Sequence, residues 1–229
     1  MVEAGRVMVG GAIADKPARL VSAAEPIVIV GDPPRFVSRG GEKLDAALTA
    51  FDVAVEGRRA LDAGASTGGF THCLLQRGVG HVVALDVGHS QLHERLRGHP
   101  QVTVIERFNV RSVTTDDIGG PVELVVADLS FISLTVVLPA LLGVVMPASD
   151  LVMLVKPQFE AGRREVGKGR GVISDPEIHE RVRATIDEAL RSLGADVMGW
   201  IESPIHGADG NKEFLVHARA PEDRLTWTS

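Results

Sequence analysis

Between Asp62 and Phe70 the chain reads Ala-Gly-Ala-Ser-Thr-Gly-Gly, with three glycines, two hydroxyls and no long side chain. Arg59-Ala60-Leu61 before it has the character of a short buried strand. After it, Phe70, Leu74 and Leu75 fall on one face of a helix. A strand, a small-residue turn and a helix in that order let the backbone come close to a polar ligand at the helix N-terminus, where amide groups point outward. The spacing differs from the dinucleotide pattern Gly-x-Gly-x-x-Gly, because Gly64 is followed by Gly68 and Gly69. Asp62 lies in the strand end, and Asp86 closes the next strand, His81-Val82-Val83-Ala84-Leu85-Asp86. An acid at that second place suits the two hydroxyls of a ribose.

These residues resemble motif I of the S-adenosylmethionine-dependent methyltransferases. The resemblance implies that Asp62, Gly64, Ala65, Ser66, Thr67, Gly68, Gly69 and Phe70 face the methionine part of that cofactor and that Asp86 meets its ribose. It also places Asn109, after the third strand, against the adenine. A cofactor with a carboxylate, an ammonium and an adenosine but no phosphate fits a small-residue loop with acidic neighbours.

The rest of the chain alternates strand and helix. Strands are expected near 59–63, 81–86, 102–106, 122–128, 151–156, 196–202 and 212–218, and helices near 68–77, 89–97, 132–142 and 176–193, with a further helix from Ser38. The helix at 176–193 has Asp175 as cap, Pro176 in its first turn, an apolar face through Ile178, Val182, Ile186 and Leu190, and Gly194 at its end. Such alternation gives an α/β, Rossmann-like, mostly parallel sheet with ligands at the C-terminal strand ends. The N-terminal residues 1–31 read instead as short β segments at 5–11, 13–21 and 26–30, with 32–37 as linker, 38–220 as the main domain and 221–229 as a tail.

Composition narrows the function classes. Hydrophobic residues make up 45% and charged residues 24%, which suits a globular domain with an ample core. The net charge of −6 argues against non-specific coating of nucleic acid but leaves room for a local basic face. The one cysteine, Cys73, cannot form an internal disulfide, and the N-terminus lacks a signal peptide's apolar core, so a cytoplasmic protein is expected. Leu129 to Ser149 is uncharged and long enough to span a bilayer, but Pro139, Pro147 and Gly143 interrupt it. It reads as the end of a strand, a helix and a turn, and no membrane is expected.

Four charged residues stand at the rim of that sheet: Asp128 and Lys156 finish neighbouring strands, Glu213 opens the last strand, and Lys43 lies on the helix before the first. If the last strand runs antiparallel, Glu213 shares the rim. In order and local context they match the Lys-Asp-Lys-Glu tetrad of the FtsJ-like ribose 2′-O-methyltransferases. Ser-Arg-Gly-Gly-Glu-Lys-Leu, Ala-Asp-Leu-Ser-Phe-Ile-Ser and Leu-Val-Lys-Pro-Gln-Phe-Glu resemble the TlyA branch, which methylates ribosomal RNA and often carries a haemolysin label. The resemblance runs over about 36–219. It implies an antiparallel last strand, S-adenosylmethionine as cofactor, ribosomal RNA in ribosomal subunits as partner and no metal. Residues 1–31 are similar to the second half of the family's α-L RNA-binding module.

Methyl transfer to a ribose hydroxyl needs in-line alignment and a base for one proton. Lys156 takes the base role, Asp128 orients it and the cofactor, and Lys43 and Glu213 hold hydroxyl and lysine in register. The glycine-rich stretch 157–174 carries Arg163, Arg164, Lys168 and Arg170, which with Arg39 are expected to grip RNA phosphates. Rival readings are the same fold acting on a small molecule or a protein, an RNA-binding protein without catalysis, and a membrane-active haemolysin.

Overall fold

The computed structural model describes residues 2, 5–31, 34–162, 165, 171–207 and 209–223. Met1–Arg35 and Phe36–Ser229 form two compact units. In the first, β1 (Val7–Val9) pairs antiparallel with both β2 (Ala12–Ile13) and β3 (Ile27–Ile29). The strand expected at 13–21 stops at Ile13. Ala14 N still donates to Val7 O at 2.7 Å, but beyond it the chain leaves the sheet, and Pro17 lacks the N–H that a ladder needs.

The larger unit holds a seven-stranded sheet. Its strands are β4 (Arg59–Ala63), β5 (His81–Leu85), β6 (Val102–Ile105), β7 (Val122–Ala127), β8 (Val145–Val155), β9 (Asp196–Glu202) and β10 (Phe214–Arg219). Their order is β6-β5-β4-β7-β8-β10-β9, parallel from β6 to β8, with β10 antiparallel to both its neighbours. The central strands are buried on both faces, which explains their near-continuous Val, Leu and Ala runs.

Period-two alternation divides their side chains between two cores. Leu61, Ala63, Val125, Ala127, Leu151, Met153 and Val155 face α4 (Leu134–Val144) and α6 (Pro176–Ser192). Ala60, Leu124, Val126, Val152 and Leu154 face α1 (Gly40–Ala50) and α2 (Gly69–Gln76). Helix α6 begins as expected: Asp175 Oδ1 accepts from Glu177 N at 2.9 Å, and Val182, Ile186 and Leu190 are buried.

Two boundaries depart from expectation. α3 covers only Glu94–Arg97, because 89–93 are drawn into side-chain contacts, with Ser90 N donating to Glu106 and His93 serving as cap. β8 starts at Val145, well before 151, and reaches its regular pairing with β7 through a register shift between Val122 and Leu124. The uncharged stretch from Leu129 to Ser149 is therefore split between a loop, α4 and β8. Among the described residues no helix is long and apolar enough to cross a membrane.

The crossing of α1 and α2 sets up the site. A Cβ on Gly69 would stand 2.9 Å from Gly41 N, and one on Gly41 would run into the buried Phe36 ring. Only glycine lets the two helix starts approach this closely. Val37 N donates to His72 Nδ1 on α2 at 3.1 Å, fixing the chain just before α1.

Candidate active site

The loop from Gly64 to Gly68 turns from β4 into α2. Gly64 N and Ala65 N donate to Leu85 O at 2.8 and 3.1 Å, and Gly68 N donates to Ala65 O at 2.7 Å. Ser66 adopts φ +46 and is held there by Asp86, whose Oδ2 accepts Ser66 N at 2.8 Å while Oδ1 accepts Gly88 N at 2.6 Å. Asp86 therefore shapes the loop itself. Each carboxylate oxygen keeps a further lone pair for a ligand hydroxyl.

Two of the glycines answer to the protein's own packing. At φ +85 a Cβ on Gly64 would stand 2.5 Å from Asp128 O. At φ +95 a Cβ on Gly68 would meet Leu96 and stand 2.8 Å from Leu92. The space that a Gly68 side chain would need is filled by Leu92 and Leu96, so the protein's own packing already requires glycine there. Gly68→Val should therefore cost about 2–3 kcal/mol of stability through overpacking and backbone strain. The check is the urea unfolding midpoint. An unchanged midpoint with weakened cofactor binding would return Gly68 to the ligand.

Asp62 also lies outside those linings, fully buried beneath the loop. Its Oδ2 accepts from Thr71 Oγ1 at 2.6 Å, and its Oδ1 has no hydrogen-bond partner. Burial raises its pKa to about 7, against the Thr71 hydrogen bond and with help from the charges of Asp128 and Asp86.

Two cavities open along the C-terminal strand ends and share Gly64, Ser66 and Asp128. The first, of about 440 Å³, is bounded by Ala65, Thr67, Gly69, Phe70 and Arg39 and by Lys43, Asp128, Lys156 and Glu213. The four charged residues thus come together from α1, the end of β7, the end of β8 and the approach to β10. They stand as two pairs. Lys43 Nζ donates to Glu213 Oε2 in a nearly buried pair. Lys156 Nζ lies 2.6 Å from Asp128 Oδ1 and donates to Ser130 Oγ at 2.9 Å. The Lys156–Asp128 contact is an ion pair by distance but lacks hydrogen-bond geometry, so Asp128 Oδ1 counts among the buried oxygens without a hydrogen bond. The distance governs its charge interaction and the angle its direction.

The second cavity, of about 480 Å³, has Asp86 and Asn109 among apolar Phe108, Val110, Leu129 and Ile132. A flat base fits such a slot, with an amide to read its edge. Asn109 Oδ1 already accepts Arg111 N at 3.0 Å, which leaves its NH₂ and one oxygen lone pair for a ligand. Asp86 and Asp128 beside the loop favour a cationic ligand, and a neighbouring apolar slot favours a base. S-adenosylmethionine combines both features.

Several contributors escaped the sequence reading. Ser130 meets Lys156. Glu160, on the short turn α5 (Pro157–Glu160), accepts from Ser133 Oγ and Leu134 N and so caps α4, while burial raises its pKa. Asn211 accepts Ile173 N and donates to Gly171 O from a buried position two residues before Glu213. Phe131, at φ +65 and 91% exposed, stands beside Phe159 at the rim. The signal for Ser130 is its i+2 spacing from Asp128. Arg163, Arg164, Lys168 and Arg170 lie outside the described residues. No group of metal-ligating side chains occurs among the described residues.

Comparison with known proteins places this geometry. The family model for FtsJ-like methyltransferases matches residues 36–220. The 16S/23S rRNA (cytidine-2′-O)-methyltransferase TlyA of Mycobacterium tuberculosis is 50% identical over 225 residues, 98% of this chain and 84% of that one. YqxC of Bacillus subtilis is 45% identical over 90% of this chain and 74% of its own. A solved structure from Streptococcus thermophilus, carried under a hemolysin name, superposes with a TM-score of 0.85 at 40% identity, covering 97% of this chain and 81% of that one. With its parallel sheet, its loop after β4 and the four charged residues at one rim, the chain belongs to the FtsJ-like methyltransferase family and, within it, to the TlyA group.

Proposed function

We propose that this chain transfers a methyl group from S-adenosylmethionine to a ribose 2′-hydroxyl of ribosomal RNA, within ribosomal subunits in the cytoplasm. The observation that carries the reading is the convergence of Lys43–Glu213 and Lys156–Asp128 on the cavity that the glycine loop bounds. The TlyA relative's rRNA activity supports the same substrate.

The cofactor supplies an electrophilic methyl on a positively charged sulfur. Ala65, Ser66, Thr67, Gly69 and Phe70 would hold its amino-acid end, and Asp86 and Asn109 its ribose and adenine. In this reading Asp62 supports the loop and Thr71 from below. Lys156 takes the proton of the attacking hydroxyl, and Asp128 keeps the lysine head at the cavity. Lys43 and Glu213 face the hydroxyl from the other wall, where a buried, mutually satisfied pair keeps its place without help from substrate. Alignment of hydroxyl and methyl in a confined space contributes the larger part of the acceleration.

Arg39 at the cavity wall and the run Arg163, Arg164, Lys168 and Arg170 take RNA phosphates in this reading, and residues 1–31 assist as an RNA-binding module. Changing those four run residues to alanine should lower the slope of log affinity against log salt by about 3, because each phosphate contact releases counterions. Filter binding to ribosomal RNA across a salt series measures it. An unaltered slope would remove this segment from the RNA surface. Transfer of tritium from labelled S-adenosylmethionine into ribosomal RNA tests the activity, against label appearing in protein or in small molecules.

A further inference from the structure

The ammonium of Lys156 meets two side chains from one neighbouring segment. Asp128 and Ser130 follow β7 two residues apart, and both reach the Lys156 ammonium at the end of β8. Their contacts differ in kind. Asp128 Oδ1 stands 2.6 Å from Nζ without hydrogen-bond geometry, so it draws an N–H toward its side but sets the direction loosely. Ser130 Oγ accepts a hydrogen bond from Nζ at 2.9 Å, an interaction that weakens steeply when misaligned. Rotation about the Cε–Nζ bond is therefore governed by Ser130.

A base has to present a lone pair, and not an N–H, to the hydroxyl it deprotonates. A neutral lysine carries two N–H bonds and one lone pair. With one N–H held by Ser130 and the other drawn to the Asp128 carboxylate, the lone pair takes the remaining staggered position, toward the cavity lined by Lys43 and Glu213. We infer that Ser130 is a positioning residue, which fixes the rotation of the Lys156 amine so that its lone pair faces the ribose hydroxyl. The inference rests on the proposed methyl transfer with Lys156 as base. In that step the hydroxyl O–H breaks as the new O–CH₃ bond forms, the carbon–sulfur bond breaks to leave a neutral thioether, and the proton ends on Nζ. Ser130 gives up no proton.

The test compares Ser130→Ala and Ser130→Thr with the full-length wild type, using labelled S-adenosylmethionine and ribosomal RNA across pH. Ser130 is exposed, so the alanine variant leaves the core untouched. Ser130→Ala is expected to lower kcat about ten-fold with KM for both substrates unchanged, the scale of one unsatisfied donor. Ser130→Thr restores the hydroxyl and most of the rate. The rising limb of the pH–rate profile should move to lower pH in Ser130→Ala, because a hydroxyl accepts more strongly from an ammonium than from an amine. A purely structural serine would leave that limb in place.

Unchanged kcat and an unmoved limb would overturn the inference. So would calorimetry with S-adenosylhomocysteine showing that Ser130→Ala loses affinity while kcat holds, since Ser130 also lines the second cavity and would then be a cofactor contact. If the wild type itself leaves no label in ribosomal RNA, the functional reading fails and the role of Ser130 falls with it.

Discussion

Lys156→Ala is expected to reduce methyl transfer to ribosomal RNA by about 10²–10⁴-fold, the range that a positioned base contributes. Lys156 sits at the end of β8 with its head at the cavity against Asp128 and Ser130, outside the buried core. Folding and cofactor affinity should therefore stay near normal, as circular dichroism and calorimetry with S-adenosylhomocysteine would report. Lys156→Arg is the sharper variant. A guanidinium keeps the charge beside Asp128 but cannot give up its proton, so it should be almost as inactive as alanine. A base acts only in its unprotonated form, so the wild-type rate should climb with pH. An arginine variant with near wild-type turnover and an unchanged profile would make Lys156 an anchor for charge and not a base.

Asp62→Asn should stabilise the cofactor-free protein at alkaline pH. Burial raises the Asp62 pKa to about 7 in the fold, from an ordinary 3.8. The sign follows from where the protons sit. Below about pH 4 both folded and unfolded chains hold the proton, and the full stability is present. Between about 4 and 7 the unfolded chain releases it while the folded chain keeps it, so stability falls as pH rises and the loss is complete above about 7. A shift of that size corresponds to about 4 kcal/mol at most. Asparagine still accepts the Thr71 hydroxyl and carries no charge to bury. The difference between variant and wild type in urea unfolding should grow from near zero at pH 4 to a few kcal/mol at pH 8, in favour of the variant. Parallel curves across that range would mean that Asp62 is ionised without cost.

The central strands were legible because a parallel sheet buries both faces and so leaves uninterrupted runs such as Leu124–Ala127 and Leu151–Val155. Helix α6 was legible because cap, first-turn proline, apolar face and terminal glycine all agree. Where local and tertiary signals separate, the reading slipped. Residues 89–93 carry apolar Leu92 at helical spacing, yet Ser90 at φ +56 and its bond to Glu106 hold them out of a helix. The early start of β8 depends on a register shift that no residue pattern announces.

At the site, small residues in the glycine loop point to a backbone approach, but not to what approaches. For Gly68 it is Leu92 and Leu96, before and on α3. Asp86 was readable as an acid at a strand end, whereas its grip on Ser66 N needs the folded loop. Ser130 is an ordinary loop serine in sequence. It gains a role once β7 and β8 lie side by side and bring Lys156 to within 2.9 Å. The pairing of Lys43 with Glu213, 170 positions apart, likewise depends on α1 packing over the sheet beside β10.

Ribose methylation of ribosomal RNA is tested by mapping the product. Ribosomal subunits from cells lacking this family are incubated with the protein and tritiated S-adenosylmethionine, and the RNA is then hydrolysed with alkali. A 2′-O-methyl group blocks cleavage at its own nucleotide, so label is expected in alkali-resistant dinucleotides from ribosomal RNA, absent with Lys156→Ala. Label on a base, on ribosomal protein, or nowhere in the subunits would contradict it.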